Sequence, residues 1–161
     1  MFNYRRATLE DLEKIWNKDI QDNLDDNRYI RWKEEFIKAN KKNNIVTFVV
    51  LNDDDPIGQV SIVLNKNNIK VECRDMLCDG KDTAYLSTFR IEKPFEGQGH
   101  ISKLVKLAEN YAREINIKYL TIGSEAKESR NLAIYLHFGY NEFITFDNSE
   151  EELVLFYKKK L

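Results

Sequence analysis

The chain has 161 residues, 42% hydrophobic, 32% charged and 12% aromatic, with a net charge of −2. That profile describes a soluble globular protein, one domain over 1–161, long enough to bury roughly 70% of the surface its unfolded form exposes. It excludes a basic nucleic-acid binder, and no apolar run reaches the ~20 residues that cross a bilayer, so neither nucleic acid nor membrane is an expected partner.

Phe2 to Arg6 reads as an opening strand. Thr8 and Asp11 then form an acidic variant of the capping box, starting a helix with Leu9, Leu12, Ile15, Trp16 and Ile20 on one stripe. The Asp- and Asn-rich segment Asn23 to Asn27 breaks it. A second helix follows over about Arg28 to Lys42, with Tyr29, Trp32, Phe36 and Ile37 at helical spacing. The plain reading of these aromatics is core; the sharper one is that Tyr29 or Trp32 lines a substrate mouth.

Ile45 to Leu51 and Ile57 to Leu64 form an antiparallel hairpin across the turn Asp53-Asp54-Asp55-Pro56, with Gly58 marking a bulge or a close approach. Asn65 to Asp82 is polar and loop-like, with one short strand possible at 69–73. It contains both cysteines, Cys73 and Cys78; with only His100 and His137 elsewhere they match no zinc pattern, so no metal is expected and a reducing, cytoplasmic setting is.

Tyr85 to Ile91 is apolar enough for a central strand. It leads through Pro94-Phe95-Glu96 to Gly97 and Gly99, which open a long helix with Ile101, Leu104, Val105, Ala108, Tyr111, Ala112 and Ile115 on one face and Ser102, Lys103, Lys106, Glu109, Asn110 and Arg113 on the other. Lys118 to Ile122 is the next strand, which implies a parallel crossover. A short helix over Arg130 to Phe138 ends at Gly139, and Asn141 to Phe146 and Leu153 to Lys158 close the chain as strands whose exposed edges allow a monomer or a homodimer.

A strand feeding a Gly-x-Gly segment and a helix is an anion cradle, because glycine admits close backbone approach and the helix's first N–H groups have no partner within the helix. It is not a P-loop: Gly99 is followed by His100-Ile101-Ser102 rather than by a Lys-Ser/Thr pair. A dinucleotide fingerprint would want a glycine where Ser102 stands, and although Glu125 passes for its acidic partner, no further βαβ units follow.

The run from Ile91 through Lys93, Pro94 and Glu96 to Gly97-Gln98-Gly99, with the helix after it, resembles motif A of the GNAT acetyltransferase superfamily, and Asn131 to Tyr140 resembles motif B. The element order of the whole chain is also that superfamily's. The resemblance implies an α/β (α+β) fold with a mixed central sheet of about six to seven strands and about four helices. Two positions depart from the motif: Glu96 where the family has Arg or Gln, and Ile101 where it has Gly or Ala.

The same resemblance implies acetyl-CoA as acetyl donor. Its pyrophosphate would meet Glu96, Gly97, Gln98, Gly99, His100, Ile101 and Ser102, and its pantetheine the backbone of Phe89 and Ile91. Asn131 and Tyr135, four apart on one helix, would hold the cofactor and protonate the departing thiolate respectively. The acceptor is expected to be a primary amine on a small molecule or a peptide, with Glu72 a further candidate beside Tyr29 and Trp32. The rival reading is a GNAT-fold module that binds acyl-CoA, or regulates, without catalysis.

Overall fold

The computed structural model describes residues 1–72 and 74–161. The elements are β1 (Phe2–Arg6), α1 (Leu9–Asp22), α2 (Arg28–Lys41), β2 (Ile45–Asn52), β3 (Asp55–Val63), β4 (Thr83–Ile91), a 3-10 turn (Lys93–Phe95), α3 (His100–Glu114), β5 (Tyr119–Glu125), α4 (Ser129–His137), β6 (Glu142–Asp147) and β7 (Val154–Lys160). The strands form one mixed sheet of seven in the order β1-β2-β3-β4-β5-β7-β6. The strand count, the helix count and the order agree with the expected fold. By internal contacts the chain divides into two units, 1–61 with 88–108 and 62–87 with 109–161, a division that no shift in composition marks.

In the first unit, α1 begins at the expected capping box, with Asp11 N–H donating to the Thr8 hydroxyl and Thr8 N–H donating to Asp11 at 2.7 Å. Asp11 is only 3% exposed. Burial alone would raise its carboxyl pKa, but donors from Arg5 and Thr8 outweigh that and lower it. Ile15 packs on Val49 and Leu51 of β2, with Ala7 alongside, and Trp16 meets Phe36 of α2 at 5.6 Å. Leu9, although on the same stripe, is exposed.

β1 pairs antiparallel with β2, from Phe2 opposite Asn52 to Arg6 opposite Phe48. The link to β3 is shorter than the expected four-residue turn: Asp53 and Asp54 make it, and Asp55 and Pro56 already belong to β3. Asp53 reverses the chain from the left-handed region, at φ 54°, which aspartate tolerates better than most residues. Gly58 marks a close approach, since a Cβ there would stand 2.4 Å from Ile91 Cδ1 and 2.8 Å from the Arg90 carbonyl.

In the second unit, β4 and β5 pair in parallel from Thr83 opposite Tyr119 to Leu86 opposite Ile122, as the crossover through α3 requires. β5 and β6 both pair antiparallel with β7. Residues 69–72 form turns rather than the short strand considered for 69–73, of which Cys73 lies outside the described residues. Buried Val71, Leu77 and Cys78 anchor this polar segment, and the Thr121 hydroxyl donates to the Leu77 carbonyl at 2.6 Å.

α3 departs from its sequence pattern at two positions. Ile115 falls one residue beyond the helix and is exposed. Glu109, expected on the solvent face, is 6% exposed. It accepts hydrogen bonds from the Tyr140 hydroxyl at 3.0 Å and from Lys159 Nζ at 2.8 Å. Both partners lie far along the sequence, so helical periodicity had no means of showing them.

Candidate functional site

The glycine segment belongs to the first unit. β4 ends at Ile91, and Glu92 N–H donates to the Ile57 carbonyl at 2.8 Å, tying the strand's exit to β3. The 3-10 turn carries Pro94 in its first positions and Glu96 returns to extended backbone. Gly97 and Gly99 then adopt φ of 75° and 81°, and a Cβ on either would meet nothing within 4 Å. Glycine is thus required here for backbone conformation and not for space.

Residues 96–99 are exposed, and Lys103 N–H donates back to the Gly99 carbonyl at 3.4 Å, which makes Gly99 the residue at the mouth of α3. In an α-helix the N–H groups of the first turn have no intrahelical acceptor, and here that turn is His100, Ile101 and Ser102. Gln98 Nε2 reaches back to the Pro94 carbonyl at 3.4 Å. The arrangement is a backbone cradle for an anion, with the exposed side chains of Lys93 and Lys103 nearby in sequence.

His100 is turned inward and is 3% exposed. Its Nδ1 is 2.7 Å from the Tyr4 hydroxyl, and its ring sits edge-on to Phe2 at 4.5 Å. Burial, aided by the Lys103 charge, lowers its pKa, so the ring is neutral and brings no positive charge to the cradle. Any cofactor contact at this position falls to the backbone. Lys103 Nζ lies 4.8 Å over the Tyr4 ring.

One feature of β4 was invisible in the sequence. Thr88 sits at φ 54°, a left-handed conformation unfavourable for a β-branched residue, and its hydroxyl donates to Ser61 Oγ at 2.7 Å. Strain of this kind costs about 1–3 kcal/mol and tends to gather at functional positions. Thr88 immediately precedes Phe89 and Ile91, the strand residues named for pantetheine.

Tyr135 lies in the second unit, on α4, 9% exposed. Burial, with a smaller contribution from Tyr85, pushes its pKa up to about 12. The phenol therefore holds its proton throughout the physiological range and is available as a donor. Asn131, one turn earlier, is exposed, as is His137. Gly139, at φ 94°, ends α4, and Tyr140 N–H donates to the Tyr135 carbonyl at 3.0 Å.

Sequence reasoning passed over Tyr85, whose pKa burial also raises. Its hydroxyl would stand 2.9 Å from a Cβ on Gly123, and Phe156 Cε1 would be equally close. Gly123 thus makes room for the phenol and the ring together, and Arg74 lies 4.7 Å over Phe156. Glu72 is exposed, 3.8 Å from Arg74 Nη2, at φ 48°. The only earlier signal for Tyr85 was an aromatic residue in a strand named for its apolarity.

Tyr29 and Trp32 are half-buried on α2 of the first unit, edge to face at 5.0 Å, with the Arg28 guanidinium 5.2 Å from the Trp32 ring. Cys78 is buried, and burial raises its thiol pKa, which makes it a poor nucleophile. Among the described residues no group of three or more His, Cys, Asp or Glu side chains is placed to hold a metal, and no helix is long and apolar enough to cross a membrane.

The whole chain aligns with solved structures of low sequence identity. An N-acetyltransferase from Staphylococcus aureus Mu50 superposes with a TM-score of 0.72 at 16% identity, covering 99% of this chain and 98% of that one. The PaiA N-acetyltransferase of Thermoplasma acidophilum, solved with coenzyme A, gives 0.67 at 16% identity over 100% and 99%. YncA of Salmonella typhimurium, described as an acetyltransferase and solved with acetyl-CoA, gives 0.71 at 13% identity over 99% and 94%. A search of curated protein sequences finds no significant match. The sequence model of the acetyltransferase (GNAT) family matches residues 8–140, more than half of the chain and both motif regions, so the chain belongs to that family and is an acyltransferase.

Proposed function

We propose that this acyltransferase moves an acetyl group from acetyl-CoA to a primary amine of a small molecule or peptide, directly in a ternary complex. The observation that carries this reading is the pair Gly97 and Gly99, both left-handed, exposed and opening α3. The binding of coenzyme A and acetyl-CoA by PaiA and YncA supports the choice of donor.

In this reading the backbone of Gly97 to Ser102 receives the pyrophosphate, and Glu96 turns its carboxylate to solvent. The backbone of Phe89 and Ile91 aligns the pantetheine and polarises the thioester carbonyl, with Asn131 as a further contact. The unprotonated amine nitrogen attacks the carbonyl carbon; the C–S bond breaks as the tetrahedral intermediate collapses, and Tyr135 gives its proton to the thiolate. The amine's surplus proton leaves through a carboxylate or water, and Glu72 is kept as an acceptor-binding candidate. Tyr29 and Trp32 flank the acceptor. The reaction uses no metal, and the setting is cytoplasmic.

Calorimetry with acetyl-CoA, followed by thiol release over a panel of primary amines, tests the proposal. Binding with amine-dependent thiol release is the expected result. No binding at millimolar acetyl-CoA overturns it, and binding without release from any amine leaves the non-catalytic module as the reading.

A further inference from the structure

β4 parts from β5 before it ends. Its parallel register with β5 runs from Thr83 to Leu86 and stops there, and Thr88 follows at a left-handed φ of 54°. Beyond that point lie Phe89 and Ile91, whose backbone the acetyl-transfer reading assigns to the pantetheine and the thioester carbonyl. β3 holds this exit from one edge, through the Glu92 N–H on the Ile57 carbonyl at 2.8 Å and the approach of Arg90 and Ile91 to Gly58. A strand flanked on one edge needs a further anchor if its backbone groups are to keep a fixed geometry.

α1 supplies that anchor. Asp19 pairs with Arg90 and Lys18 pairs with Glu92, so two adjacent residues of the helix meet two residues on the same side of the strand's exit. The signs are crossed. A slip of the strand by two residues in either direction would set Arg90 against Lys18 or Glu92 against Asp19, like charge against like. The carboxylates are the sheltered members, with 15% of the Asp19 side chain and 19% of the Glu92 side chain exposed, while Lys18 and Arg90 are more open. Half-exposed pairs of this kind contribute little to global stability. What two pairs of opposed sign fix is register and orientation.

We infer that Asp19, supported by Lys18, is a positioning residue for acetyl transfer, setting the backbone of Phe89 and Ile91 against the donor thioester through Arg90 and Glu92. The inference rests on the acetyl-transfer reading above and divides the donor site by role. The cradle at Gly97 to Ser102 supplies affinity; the clamped exit supplies alignment, which acts on the transition state.

The test is a double-mutant cycle in the full chain, with Asp19→Ala, Arg90→Ala and both together, read by steady-state kinetics, calorimetry and amide hydrogen exchange. Asp19→Ala should lower kcat about tenfold or more, change acetyl-CoA affinity by less than about twofold and move the melting temperature by no more than about 3 °C. The double variant should lose no more than the larger single loss, because both substitutions remove one interaction. Without acetyl-CoA, Asp19→Ala should speed exchange at residues 88–92 about threefold or more and leave β5 and β7 unchanged. Unchanged kcat, additive losses, unchanged exchange at 88–92, or a fall in affinity and melting temperature that matches the fall in kcat overturns the proposal. A parent chain without amine-dependent thiol release overturns the acetyl-transfer reading and this role with it, whereas failure in the variants of an active parent overturns this role alone.

Discussion

The Tyr4 hydroxyl and His100 Nδ1 stand 2.7 Å apart, joining β1 to the first residue of α3 across 96 positions of sequence. The first residue of α3, next to the glycine cradle, is therefore held by β1. Tyr4→Phe should cost about 1 kcal/mol of stability by thermal melting. It should weaken acetyl-CoA binding more than it lowers kcat, because it loosens the cradle and leaves the reacting groups alone.

His100 also gives the protein a pH dependence. Its folded-state pKa lies below the unfolded value of about 6.5, so the unfolded chain takes up the proton more readily. Its contribution to stability is complete above about pH 6.5 and declines as pH falls below that toward its folded-state pKa. Melting temperatures at pH 7.5 and 5.5 should differ more in the parent protein than in His100→Asn; equal differences would show that His100 is not the group responsible.

Gly97→Ala and Gly99→Ala should each cost roughly 1–2 kcal/mol in backbone strain, with little steric damage since no neighbour lies within 4 Å of the added methyl. Calorimetry should show lower acetyl-CoA affinity in chains that remain folded by circular dichroism.

Tyr135→Phe should lower turnover by roughly 10²-fold or more with acetyl-CoA binding nearly unchanged. Because burial holds the phenol at about 12, the parent enzyme's rate should show no alkaline decline from this group below about pH 11. A decline centred near pH 9 would belong to another residue. Burial thus lifts the phenol above its ordinary value of about 10, and desolvation would raise a thiol beside it in the same direction.

Removing the Glu109 carboxylate should destabilise the fold strongly. Glu109→Ala leaves Lys159 and the buried Tyr140 hydroxyl without their acceptor, and loss of one partner from such a buried pair costs about 3 kcal/mol. Urea unfolding should show the drop, with Glu109→Gln less affected because it keeps an acceptor for the phenol.

Much of the fold was legible from local signals. The Thr8–Asp11 capping box, the chain break at 23–27 and the helix stop at Gly139 each depend on residues near one another in sequence, and each is present. The features that escaped depend on distant partners or on backbone states no side chain announces. Glu109 is buried because Tyr140 and Lys159 reach it, Tyr85 is placed by Gly123 on another strand, and Thr88 adopts a conformation that its β-branched side chain argues against. For the cradle, the glycines were readable because their conformation is a property of glycine itself; the inward turn of His100 was not, since it is set by Phe2 and Tyr4.

β6 joins the sheet only through β7, which lies between it and β5. During synthesis the strand bearing Phe143 and Phe146, both more than half exposed even in the finished fold, must wait for residues 154–160 before it gains a neighbour. Until then it is a sticky ribbon with an open edge, the sort of segment that attracts chaperones or other nascent chains. Expression yield should therefore respond to changes in β7 more sharply than equilibrium stability does.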